Sequence, residues 1–88
     1  GVIAGELPSA EAVIATAGEA LRTQAGVAGE FILDGVAPGS HTLVVLSPEE
    51  NGRRRVEGFI PDVTVEPGAI LDLGAIAPHQ ITPVAQGG

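Results

Sequence analysis

The sequence predicts an all-β fold, a sandwich of seven short strands. Three observations predict it. Apolar residues fall in runs of at most four, the 13 glycines and 7 prolines sit mostly between those runs where turns are needed, and several runs show the period-two alternation of a half-buried strand. Short strands separated by frequent turn signals pack as two sheets face to face. At 88 residues the chain holds one core. The domain is assigned to residues 1–77, and residues 78–88 are read as an extended C-terminal tail or linker.

The segments follow in order. Val2 to Leu7 opens the fold. Ser9 to Arg22 carries a helix-like start at Ser9 and Glu11, but the β-branched Val13, Ile14 and Thr16 suit a pleated surface and Gly18 interrupts the run, so strands are expected over Ala12–Ala17 and Leu21–Ala25. Glu30 to Leu33 is the fourth strand. Asp34-Gly35 and Pro38-Gly39 then supply positions that tolerate positive φ. With Phe31 and Leu33 facing inward, Val36 is placed to plug the core from the loop.

His41 to Leu46 is the fifth strand, with His41, Leu43 and Val45 on one face and Thr42, Val44 and Leu46 on the other. Both faces are largely apolar. Because Ile32 also points outward in its own strand, an outer apolar patch of Ile32, Val44 and Leu46 is expected as an interface. Pro48 to Arg55 is the most polar segment, and Asn51-Gly52 fits a type I′ hairpin turn. Val56–Val65 and Ile70–Ile76 complete the seven. The uncharged stretch after Pro78 is either a linker or one more extended strand, and its Ile81 and Val84 are expected as further interface residues.

Two stretches carry a family likeness. Gly29-Glu30-Phe31-Ile32-Leu33 followed by Val36-Ala37-Pro38-Gly39-Ser40-His41-Thr42-Leu43-Val44-Val45, and Val63-Thr64-Val65-Glu66-Pro67-Gly68 followed by Leu71-Asp72-Leu73-Gly74-Ala75-Ile76, resemble the carboxypeptidase-regulatory-like, transthyretin-like (prealbumin-like) modules over residues 1–77. The sequence departs from that pattern at Ala25-Gly26, where the family commonly has Thr-Asp, and at His41, where it has Tyr. The resemblance implies a seven-stranded Greek-key sandwich. It also implies a non-catalytic structural or accessory domain of a larger secreted, periplasmic or cell-surface protein, with no active-site residues to transfer.

Composition narrows the function classes. A net charge of −7 without lysine repels phosphate backbones and anionic lipid headgroups, which argues against nucleic acid as a partner. Runs of four apolar residues are far short of the roughly 20 that a membrane helix needs. The lack of Trp and Tyr argues against carbohydrate binding, and the lack of Cys removes thiolate chemistry and disulfides. Beginning at Gly1 without a signal-like stretch, the chain reads as a processed product or an excised piece.

No catalytic set emerges. Ser40 and His41 are strand neighbours pointing to opposite faces, and no serine sits in a nucleophile-elbow pattern. His41 is read as a half-buried residue with a backbone or carboxylate partner, and His79 as solvated. Their spacing makes no metal site, no cofactor is expected, and Asp34, Glu49, Glu50, Asp62 and Asp72 are read as solvating charge rather than calcium ligands. Arg53-Arg54-Arg55 is a basic knot suited to an acidic patch on a partner. Protein partners, neighbouring domains or copies of the same chain, are therefore expected. The alternative is a self-assembling extracellular filament or surface-layer subunit, joined by β-strand addition through a terminal segment.

Overall fold

The computed structural model describes residues 1–18 and 21–84. Glu19 and Ala20, within the stretch weighed as a helix, and the Ala85–Gly88 end of the expected tail lie outside the described residues. Among the described residues eight strands follow one another: β1 Val2–Glu6, β2 Val13–Thr16, β3 Arg22–Gln24, β4 Glu30–Asp34, β5 Gly39–Leu46, β6 Val56–Val65, β7 Ile70–Ala75 and β8 Thr82–Pro83. β1 to β7 coincide with the seven expected segments. The helix alternative gives way to β2 and β3, with Gly18 at φ 79° in the turn after β2.

Two sheets form, a three-stranded one in the order β4-β1-β7 and a five-stranded one in the order β3-β2-β5-β6-β8. β1 pairs antiparallel with β4 and parallel with β7, while every pairing in the larger sheet is antiparallel. Period-two burial assembles the core between them: Ile3 and Leu33 from one sheet meet Ile14, Leu43 and Val65 from the other, all at most 2% exposed. Phe31, Val45 and Val63 are buried with them, and Leu71 and Leu73 pack at the margin.

The link from β4 to β5 carries the chain from one sheet to the other. Gly35 (φ 77°) and Gly39 (φ 125°) make the turns that the sequence predicts there. Between them Val36 is 1% exposed, and its N–H donates to the Gly1 carbonyl at 2.9 Å, closing the sandwich at that end as expected. At the other end Asn51 and Gly52 take φ 53° and 75°, and Glu50 and Arg53 exchange backbone hydrogen bonds across them, a two-residue type I′ hairpin.

Two departures from strict pairing shape β6. Opposite His41 and Leu43 it spends three residues where β5 spends two, and Asp62 sits at φ 59°. This bulge accommodates Pro61, which has no N–H to give a ladder. The second departure is at Glu57, which β6 inserts between the pairs Val45–Gly58 and Leu46–Val56. β8 adds an eighth strand to the far edge of β6, pairing Phe59 with Thr82 and Gly58 with Pro83. The expected division at residue 77 therefore precedes a segment that lies on the sandwich: Pro78–Gln80 forms one 3-10 turn, its entry closed by Ala77 N–H to Gln80 Oε1 at 2.7 Å, and Ile81 packs on the core.

Truncating Leu43 to Ala should remove about 2–5 kcal/mol of stability, the range for large-to-small changes at buried aliphatic positions. Ile70→Ala, at a site 74% exposed, should change stability by no more than about 0.5 kcal/mol. Urea unfolding midpoints of the two variants check this; equal losses would mean that the core lies elsewhere.

Candidate protein-binding surfaces

Register places the expected interface residues. On the outer side of the five-stranded sheet, one row runs across all five strands: Arg22, Ala15, Val44, Phe59 and Thr82. A second row holds Gln24, Val13, Leu46 and Val56. Val44, Leu46 and Phe59 are partly exposed and Val56 is 41% exposed. The middle of this face is thus aliphatic and aromatic, bordered by Arg22 and Gln24 on β3 and by Thr82 on β8, and neither row contains a carboxylate.

Ile32 lies elsewhere, which corrects the expectation of one patch. β4 belongs to the three-stranded sheet and β5 to the five-stranded one, so Ile32 and the pair Val44 and Leu46 face away from each other on opposite outer surfaces. Alternation within each strand tells inside from outside correctly, but the crossing at Gly35–Gly39 exchanges which outside is meant. The outer rows of the smaller sheet are Asp34, Val2, Ile70 and, beside it, Ile32, Ala4, Asp72, with Glu30 and Glu6 following. Ile32 is 67% exposed, and all four acids are exposed.

The three arginines divide. Arg54 is partly buried, and its Nη1 donates to the Glu11 carbonyl at 2.9 Å and the Ser47 carbonyl at 3.0 Å. It ties the β1–β2 loop to the end of β5 and lines one shallow pocket with Val13, Arg22, Thr23 and Gln24. Ser47 is buried too, its N–H donating to Arg55 O and its Oγ accepting from Arg55 N–H. Arg53 and Arg55 are exposed. The expected basic knot is thus one clamp flanked by two free side chains.

The tail residues also divide from expectation. Ile81 is packed against the core and Val84 is partly buried. Gly58 on β6 makes the seat, because a Cβ there would fall on the Thr82 carbonyl oxygen and 2.6 Å from the Ile81 side chain. Where the tail meets the sandwich end, a cleft of about 320 Å³ opens among Leu7, Pro8, Ser9, Ala12, Val45, Glu57, Pro78, Ile81 and Pro83. Its polar side chains are Ser9 and Glu57, and no histidine is among the lining residues.

The remaining candidates have local partners. His41 is half-buried and its Nε2 donates to the Ala37 carbonyl at 2.6 Å, the backbone partner expected for it. Asp34 Oδ1 accepts from Gly35 N–H at 2.7 Å, bracing a turn, and Asp72 Oδ1 accepts from Gly74 N–H at 2.9 Å, bracing the irregularity within β7. Among the described residues no three His, Cys, Asp or Glu side chains gather as a metal ion would require, and no helix is long and apolar enough to cross a membrane.

No family model and no curated protein matches the sequence. Among solved structures, the chain is similar to a chain of the type II cohesin–X-dockerin complex from Acetivibrio cellulolyticus. In an N-terminal interface mutant of that complex the TM-score is 0.63, with 18% identity over 84% of this chain and 51% of the other. In a C-terminal interface mutant it is 0.60, with the same identity and coverage. The fold is a β-sandwich. This likeness carries the fold alone, and the chain spans about half the length of the chains it matches.

Sequence reasoning missed Ile70 as an exposed apolar residue (74%), and Val13 and Phe59 as members of the larger face. Val13 joins its row by register with Gln24 and Leu46 but is itself buried, 6% exposed, so period two alone does not describe it. Arg54→Ala should cost about 1–3 kcal/mol, because two carbonyls lose a charged donor, whereas Arg53→Ala should stay within about 0.5 kcal/mol. Thermal or urea unfolding of both variants separates a clamp from a free cation, and the reverse ranking would refute the assignment.

Proposed function

We propose that this chain is a non-enzymatic structural or protein-binding module of a larger secreted, periplasmic or cell-surface protein, of the transthyretin-like, carboxypeptidase-regulatory-like Greek-key kind, and that it binds through the outer face of its five-stranded sheet. The carrying observation is the pair of apolar rows around Val44, Leu46 and Phe59, free of carboxylates in a chain with 11 acidic residues. Contiguous outward apolar surface of that kind is what protein interfaces use. The finer class draws support from the matching order of β1 to β7 and from strands that neighbour out of sequence, β4 beside β1 and β5 beside β2. The crystal structures similar in fold are themselves of a complex between protein modules, which supports a protein partner.

A photo-crosslinking residue at position 44, in the protein expressed in its native host, should give a discrete protein adduct, whereas the same residue at Glu66 should give none. Adducts only to glycan or lipid, or none from position 44, would remove the proposal.

One observation favours a second reading, self-assembly as a filament or surface-layer subunit through a terminal segment. β8 holds its place by only two residue pairs on β6, and a seat that takes Ile81 to Pro83 of its own chain fits the same segment of a neighbour. Gly58→Val should expel the segment and abolish any oligomer formed by exchange. Light scattering decides: an oligomer unchanged by Gly58→Val, or by deletion of residues 78–88, rules exchange out.

A further inference from the structure

The two outer faces differ in charge, and both carry exposed or partly exposed apolar residues. Outward rows of the three-stranded sheet carry Glu6, Glu30, Asp34 and Asp72 around the exposed Ile32 and Ile70, with no basic residue among them. Outward rows of the five-stranded sheet carry Arg22 beside Val44, Leu46 and Phe59, with no acid among them, and Arg54 lines the same border. All four basic residues of the chain lie on β3 or on the hairpin that joins β5 to β6, both in the larger sheet.

Resting on the proposed use of the larger face, we propose that its partner is the three-stranded face of a second copy of this chain, so that copies stack front to back. Two small faces pressed together would oppose four carboxylates with four more, a like-charge juxtaposition that association cannot offset cheaply. Front against back instead brings Ile32 and Ile70 onto the aliphatic rows and sets the exposed Arg22 opposite carboxylates. Such a contact is heterologous: each copy uses one face and leaves the other free, so addition continues into an open stack.

Complementary blocking tests this. Val44→Asp disables the front face and Ile32→Arg disables the back face. Wild-type mass from light scattering should rise with concentration without settling at a dimer, and the rise should weaken as salt screens the rim charges. Each variant alone should be a monomer, its association at least about tenfold weaker. Mixed, the two should form a 1:1 heterodimer and nothing larger, through the one intact front and the one intact back. Matching circular dichroism and melting curves verify folding, and Arg22→Glu replaces Val44→Asp should that variant not fold. A wild type that stays monomeric at millimolar concentration, an Ile32→Arg variant that assembles like wild type, or a mixture that stays monomeric would each overturn front-to-back stacking. A monomeric wild type that still gives a protein adduct from position 44 would overturn stacking while leaving the binding face intact.

Discussion

The rest of the molecule depends on one constraint: a chain without disulfides, Trp or Tyr, and with only two Phe, must close two sheets over a layer made almost wholly of Ile, Leu and Val. At this size burial exceeds the entropy of ordering by little, so each strand must give its inward positions to that layer without error. β5 bears most of this. It lies between β2 and β6, sends Leu43 and Val45 into the core, and turns Val44 and Leu46 outward as its other apolar rank. A strand apolar on both faces is how the protein obtains a dependable core position and an outward apolar surface from the same eight residues.

That dual use explains what was legible in the sequence. The inward residues Phe31, Leu33, Leu43, Val45 and Val63, and Val36 in its loop, follow from period two and turn chemistry, which are local. The Asn51-Gly52 hairpin follows from the dihedral angles those residues accept. Sheet membership is not local. Nothing between Asp34 and Gly39 announces that the chain changes sheets there, and so Ile32 was grouped with Val44 although the two look in opposite directions. Arg54 was illegible for a similar reason, since its carbonyl partners at Glu11 and Ser47 lie 43 and 7 residues away. The tail is half-legible: Thr82–Pro83 is the extra strand the sequence allows, but Pro78–Gln80 turns as a 3-10 helix, and the seat depends on the absent side chain at Gly58, which no reading of the tail alone could supply.

The edges of the sheets bear on how such a module associates. Exposed edges invite pairing unless they are short, charged, bulged or covered. β3 is three residues long and carries Arg22, β4 begins and ends on Glu30 and Asp34, and β7 is interrupted by a register shift against β1 with Gly74 at φ 64°. β6, the longest strand, is covered by β8 at Gly58 and Phe59 and broken beyond by Pro61 and the bulge at Asp62. Each edge therefore carries at least one feature that opposes extension of its sheet. The faces carry no such guard. Ile32 and Ile70 on one and Val44, Leu46 and Phe59 on the other stay accessible, and of the outward rows only those of the smaller face carry carboxylates. A fold that obstructs edgewise growth while keeping two unlike apolar faces open directs association to the faces. The one edge held by only two pairs, where β8 meets β6, is the one place where exchange of a strand could compete with it.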